Sequence, residues 1–220
     1  MNTHSPWSDR LLQLFFFVAI VHPLVLLVIG LRIHHKQGLP KTGPAILVAN
    51  HNSHLDTWVL MTLFPLRHLH HLRPVAAADY FLTTPLKRWF FRRIFHVIAM
   101  ERGSRCRSDQ RFAECDRAIA QNDILIVFPE GSRGTPEEMT AFKSGIAHLS
   151  QRHPDVPLYP IFLHGLGKAL PKGDFLLVPF FCDVFIGTPC WWSGHKENLI
   201  TELNQQIQAL AADGYVPPWT

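Results

Sequence analysis

Asn50-His51-Asn52-Ser53-His54-Leu55-Asp56 sets an imidazole and a carboxylate five residues apart, directly after the apolar run Ala45–Ala49. A carboxylate that orients an imidazole lets the far ring nitrogen take a proton from a hydroxyl. Five residues correspond to about 140° round a helix, so the two side chains cannot meet on one straight helix. They meet if His51 lies on the loop leaving a strand and Asp56 in the first turn of the next helix. The same spacing has a purely structural use: Ser53 is a suitable N-cap, and Asp56 is then the carboxylate of a capping box. An H-x4-D pair alone does not choose between the two roles.

A second group, Phe128-Pro129-Glu130-Gly131-Ser132-Arg133-Gly134, follows the apolar run ILIVF. A glycine-flanked turn with Glu and Arg can offer backbone N–H groups and a guanidinium to a phosphate. It is no Walker loop, since G-x-x-x-x-G-K-[ST] is absent, and a tight turn with a solvent-facing Arg is the plain alternative. Ala99-Met100-Glu101-Arg102 closes another apolar run, and Val156-Pro157-Leu158-Tyr159-Pro160 opens one. Prolines spaced this way read as an edge strand or a loop.

The elements that must position these residues alternate. Ala45–Ala49, Pro74–Ala78, His96–Met100, Ile124–Phe128, Leu158–Leu163 and Phe175–Ile186 read as buried strands, being short, apolar and bounded by breakers. Thr57–Phe64, Pro85–Phe95, Ser108–Gln121, Phe142–Gln151 and His195–Ala211 have helical spacing. Strands alternating with helices predict an α/β fold, a mixed central sheet flanked by helices. With 220 residues there is room for one such domain, over residues 41–220.

Residues 1–40 form a separate membrane-associated segment. Leu11–Leu31 is almost wholly apolar, and as one helix it would reach about 31 Å, roughly one hydrocarbon thickness. Gln13, His22, Pro23 and Gly30 interrupt it, and Pro23 is expected to kink or break the helix. Either a kinked span or two short helices embedded in one leaflet results, with a slight preference for the second. Arg32, Lys36 and Lys41 follow the run, whereas Arg10, offset by Asp9, precedes it. By the positive-inside bias the remainder faces the cytoplasm, on the inner membrane.

A net charge of +4 suits anionic headgroups, nucleic acid or phosphorylated ligands without choosing among them. Leu86–Arg93 mixes bases and rings in a way that suits single strands or a membrane interface, and the apolar N-terminus favours the interface. The tract Arg67–Arg73, with three histidines and no acid close in sequence, reads as a basic loop rather than a metal site. Four scattered cysteines without C-x-x-C spacing read as reduced thiols. Trp191-Trp192 fits an interfacial contact or the core equally.

Taken in order, N-H-x-S-x-x-D, an Arg after the third strand, F-P-E-G-S-R and V-P-x-x-P resemble the four blocks of the glycerolipid acyltransferase family, whose best-known member is lysophosphatidic acid acyltransferase. The likeness covers roughly Pro44 to Gly165, and Phe142-Lys143-Ser144-Gly145 resembles the F-K-x-G that often follows the third block. It implies His51 as general base with Asp56 as partner, and Arg102, Glu130, Gly131, Ser132 and Arg133 around the acceptor's glycerol phosphate. The second block departs from the commoner phenylalanine-isoleucine-aspartate-arginine form but keeps Arg102. The implied reaction moves a fatty acyl group from acyl-CoA or acyl carrier protein to lysophosphatidic acid, giving phosphatidic acid. It needs no metal or organic cofactor and no nucleic acid. The oxyanion is expected to meet backbone N–H groups at the helix start near His51. The alternatives are another lysophospholipid or lyso-aminolipid acceptor, or a non-catalytic lipid-binding protein. An esterase or phospholipase would need a nucleophilic serine, and there is no G-x-S-x-G elbow.

Overall fold

The computed structural model describes residues 7–78, 84–100, 108–131, 140–169 and 181–213. Seven strands among them form one sheet: β1 Leu31–His34, β2 Ala45–Ala49, β3 Leu72–Ala77, β4 Ile98–Met100, β5 Ile124–Val127, β6 Leu158–His164 and β7 Cys182–Ile186. Their spatial order is β1-β7-β6-β2-β5-β3-β4. Every neighbouring pair is parallel except β6–β7, so the sheet is mixed, as expected.

The unbroken apolar sequence of β2 follows from its place. Ala45, Leu47 and Ala49 enter the core on one face, Ile46 and Val48 that on the other, and all five are buried. The first face is covered by α1 (Trp7–Phe16) with its continuation, by α2 (Leu55–Thr62), and by Phe90 and Phe91 of α3 (Pro85–Arg93). The second is covered by α4 (Ser108–Ala120), α5 (Gly145–Arg152) and α7 (Lys196–Asp213), through residues such as Phe112, Leu149 and Leu203. A short helix α6, Leu166–Ala169, follows β6. Trp191 is half exposed and Trp192 packs against this second core.

The N-terminal helix does not break at Pro23. It runs from Trp7 to Val28, widening to π-helical turns over Phe17–Val21 and Leu24–Val28. Pro23 has no N–H to give, and the wide turns accommodate its ring. They keep in line the buried stripe Phe17, Val21 and Val25, which follows buried Asp9 and Gln13 of the regular helix at one residue in four. Along a regular α-helix such a stripe would drift by about 40° per step. Wider turns keep it against the sheet. Each fully buried apolar side chain is worth about 1.5–3 kcal/mol. The half-exposed Arg93–Asp9 ion pair (2.9 Å) adds at most about 1 kcal/mol. Packing therefore holds the helix to the domain.

Two further expectations are corrected. Leu158–Leu163 is buried strand as expected and follows Val156-Pro157 in a loop, but it is no edge, because β6 lies between β2 and β7. Pro160 is tolerated there because its missing N–H faces the end of the β7 ladder. The Pro160 carbonyl accepts from the Gly187 N–H (2.8 Å), and regular pairing begins one residue on, at Ile161 with Ile186. Leu31–His34, which begins at the last residue of the apolar run, is a strand within the expected helical segment 1–40, and Asp183 on β7 binds both its Arg32 (3.3 Å) and its His34 (2.9 Å). Of the strand expected over Phe175–Ile186, Cys182–Ile186 is seen, and residues 175–180 lie outside the described part. Cys115, Cys182 and Cys190 are buried and form no disulfide among the described residues, and burial pushes the Cys115 and Cys190 thiols up to about 12.

Candidate active site

The chain leaves β2 at Asn50, which extends the ladder to β6 with its side chain. Asn50 Nδ2 donates to the Leu163 carbonyl (2.9 Å) while its Oδ1 accepts from the Leu163 N–H (2.7 Å). Asn52 Nδ2 donates to the same carbonyl (3.0 Å). Both asparagines are buried, so His51 stands on a loop stapled at either side.

His51 Nδ1 lies 2.8 Å from Asp56 Oδ2. The meeting has the geometry that five-residue spacing requires, with His51 on the strand-exit loop and Asp56 in the first turn of α2. Oδ2 also accepts the backbone N–H groups of Asn52 (2.6 Å) and Ser53 (2.8 Å), while Oδ1 is buried without a partner among the described residues. Asp56 thus holds both the imidazole and the loop that enters α2, and the helix N-cap is His54 rather than the expected Ser53. Burial pushes its carboxyl above the usual carboxylate range, and the contacts from His51, Ser53 and Asn52 pull the other way. The His51 ring stacks on Phe128, with centroids 4.2 Å apart and planes at 21°. With Nδ1 turned to Asp56, Nε2 is the nitrogen left to receive a proton.

Across from this loop, β5 ends in the turn Phe128–Gly131. The Gly131 N–H donates to the Phe128 carbonyl (3.0 Å), and Gly131 has φ +72°, which a side chain rarely adopts. Lys143 steadies the turn from outside: its N–H donates to the Pro129 carbonyl (2.9 Å), and its Nζ lies 2.7 Å from where a Cβ on Gly131 would sit. Glu130 points inward and is buried. Its Oε1 accepts the His51 backbone N–H (3.0 Å), and its Oε2 accepts both the backbone N–H (3.1 Å) and the hydroxyl (2.7 Å) of Thr140.

His51, Asp56, Glu130 and Gly131 are therefore together beyond the carboxyl ends of β2 and β5, where open α/β sheets place ligands. Arg102, Ser132 and Arg133 lie outside the described residues. β4, which ends at Met100, is three strands from β2, about 14 Å. The backbone N–H groups of His51, Asn52 and Ser53 are each committed to a carboxylate. The expectation that amides near His51 would hold the oxyanion is corrected for these three.

The histidine tract is elsewhere. Leu66–His71 forms a 3-10 turn before β3, at the opposite end of the sheet, and an acid from far along the chain is beside it: His71 Nδ1 and Arg73 Nε bind Asp123 at 2.8 and 2.7 Å. Burial, with help from His71 and Arg10, pushes His70 down to about 4. Among the described residues no group of three or more His, Cys, Asp or Glu side chains could hold a metal.

Asn50, Thr140 and Lys143 went unassigned in the sequence reading. Asn50 and Lys143 lie inside recognised blocks, N-H-x-S-x-x-D and F-K-x-G, which is the signal that could have found them. Thr140 had none, because its partner Glu130 is ten residues back across a turn.

Residues 30–164 match the family model described as Acyltransferase. A 1-acyl-sn-glycerol-3-phosphate acyltransferase of Limnanthes douglasii is 28% identical over 177 residues, 79% of this chain and 60% of that protein. The alpha form of Ovis aries is 24% identical over 192 residues, 86% of this chain and 64% of that one. The chain thus spans about 60% of the length of these relatives. Among solved structures, the 1-acyl-sn-glycerophosphate (LPA) acyltransferase PlsC of Thermotoga maritima has the same fold. It superposes with a TM-score of 0.75 over 96% of this chain and 83% of that one, at 19% identity.

Proposed function

The chain belongs to the acyltransferase family, and on that premise we propose that it transfers a fatty acyl group from a thioester to the free hydroxyl of lysophosphatidic acid. The observation that carries this reading is the His51–Asp56 contact of 2.8 Å at the carboxyl end of the sheet. His51 Nε2 removes the hydroxyl proton as that oxygen attacks the thioester carbonyl carbon. Asp56 stabilises the imidazolium that forms. The tetrahedral oxyanion collapses, the C–S bond breaks, and the imidazolium returns its proton to the leaving thiolate of coenzyme A or acyl carrier protein. No acyl-enzyme is required.

Arg102, Gly131, Ser132 and Arg133 serve the acceptor's glycerol phosphate, with Lys143 adding an ammonium beside Gly131. The relatives named above are enzymes of 1-acyl-sn-glycerol-3-phosphate, which supports this acceptor over other lysolipids.

The membrane is met by the outer face of the N-terminal helix rather than by a span. Its inner stripe is buried in the core, while Trp7, Leu11, Phe15, Val18, Leu26 and Leu27 are at least half exposed. α3 adjoins it through Phe16 and Phe90, whose ring centroids are 5.4 Å apart, and adds exposed Leu86, Trp89 and Arg92. An apolar strip beside bases is the composition of an interfacial helix. We place the N-terminal segment on the cytoplasmic leaflet of the inner membrane, the side on which cytosolic thioesters are supplied, with lipid acceptors entering from it.

Purified protein in vesicles, offered a panel of lyso-lipids with acyl-CoA and with acyl carrier protein thioester, tests the reading. Lysophosphatidic acid should be acylated fastest. Preference for an unphosphorylated or amino-lipid acceptor would overturn the acceptor assignment.

A further inference from the structure

We infer that Glu130 is a positioning residue for the base His51 and not a ligand of the acceptor. The family resemblance puts Glu130 in the glycerol-phosphate site, but the bonds it makes run inward. One carboxylate oxygen takes the His51 backbone N–H, at 3.0 Å, and the other takes the N–H and hydroxyl of Thr140, at 3.1 and 2.7 Å. A carboxylate has about four lone-pair positions, and three are filled from within the protein. Only 2% of the residue is exposed. Its charge is also the wrong sign for a phosphate: a carboxylate facing the acceptor would repel it.

The clamp acts where movement matters. Asn50 and Asn52 hold the loop of His51 to β6, and Asp56 holds its ring and the amides of Asn52 and Ser53. The remaining backbone donor, the His51 N–H itself, points across to β5 and is caught by Glu130. Glu130 thereby fixes the gap between the carboxyl ends of β2 and β5, and Thr140 fixes Glu130. Released from it, the imidazole would keep its Asp56 contact but lose its height above the acceptor. A shift of about 1 Å between base and substrate costs on the order of a hundredfold in rate.

The inference rests on His51 as general base, so the test has arms that do not depend on turnover. Glu130→Gln in the full-length protein should lower kcat by roughly ten- to a hundredfold, with KM for acceptor and thioester each within about threefold of wild type. Thr140→Val, which removes one of the three bonds, should lower kcat by roughly three- to tenfold, again without raising the acceptor KM. The His51 amide should exchange hydrogen at least about tenfold faster in both variants at an unchanged thermal midpoint, since its acceptor is weakened or loosened. An acceptor KM raised tenfold or more at wild-type kcat would make Glu130 a substrate ligand and overturn the assignment. Unchanged exchange at His51 would overturn the clamp, and Thr140→Val supplies this answer if Glu130→Gln does not fold. Wild-type protein inactive on every lysolipid would instead remove the functional reading, while the exchange data still decide the clamp.

Discussion

Asp56→Asn separates the two duties carried by one oxygen. Oδ2 accepts three N–H groups: His51 Nδ1 and the amides of Asn52 and Ser53. An asparagine with its oxygen in that place can accept all three, and its NH2 takes the position of Oδ1, which is already buried and unpartnered. What disappears is the negative charge beside the imidazole. With charge centres about 4–5 Å apart and an effective dielectric near 20, an imidazolium loses roughly 3–4 kcal/mol of stabilisation, about 10²–10³ in rate. Stability should move the other way. Burial raises the carboxyl above its unfolded value of 3.8, so the folded protein holds this proton more tightly than the unfolded chain does. The contribution of Asp56 to stability is greatest below the unfolded pKa. It falls as pH rises from there through the raised folded value, and the buried charge is a cost at neutral pH. Asn removes that cost. The expected result is a thermal midpoint at pH 7 equal to or above wild type, with kcat down by about 10²–10³. Steady-state acyl transfer alongside thermal unfolding reads both. A folded variant turning over at the wild-type rate would refute the dyad, and a lowered midpoint with a matching activity loss would reduce Asp56 to its role in holding the loop before α2.

Gly131→Ala forces a side chain into φ +72° and against Lys143 Nζ, and should cost about 1–3 kcal/mol in chemical denaturation. An unmoved midpoint would show that the turn has room. Leu11→Ser, Phe15→Ser and Val18→Ser together should weaken vesicle binding about a hundredfold, about 1 kcal/mol for each half-exposed side chain. Wild-type protein should stay bound through a high-salt wash, because salt screens only exposed charges. Release by salt would mean an electrostatic contact instead. Arg102→Ala or Arg133→Ala should raise KM for a phosphorylated acceptor roughly ten- to a hundredfold and leave that for the thioester near wild type. Equal effects on both would assign these arginines to the fold or the donor.

The central strands were legible because they are buried on both faces, and runs such as AILVA and ILIVF have no reading as half-wet strands or amphipathic helices. β1 was not, because Leu31–His34 continues an apolar helix and its partner β7 lies about 150 residues away. Pro23 misled for a different reason. A proline breaks a regular α-helix, but here the helix is widened, and in a segment apolar on every side nothing in the sequence marks the wide turns. At the site, His51 and Asp56 could be paired because their spacing meets only across a strand–helix junction. The bonds of Glu130 could not be read from F-P-E-G-S-R, since motif order says which residues gather but not which way a carboxylate turns. The committed amides of His51, Asn52 and Ser53 were hidden likewise, being backbone groups with no signature in sequence.

The central claim is that His51 takes the proton from the acceptor hydroxyl. Its most direct test is acyl transfer to lysophosphatidic acid by wild-type protein and by His51→Ala in the same vesicles, with acceptor binding measured in parallel. The expected result is phosphatidic acid formed by the wild type, a rate lower by about 10²–10⁴ in the variant, and acceptor binding kept within a few-fold. Equal rates in the two proteins would contradict the account.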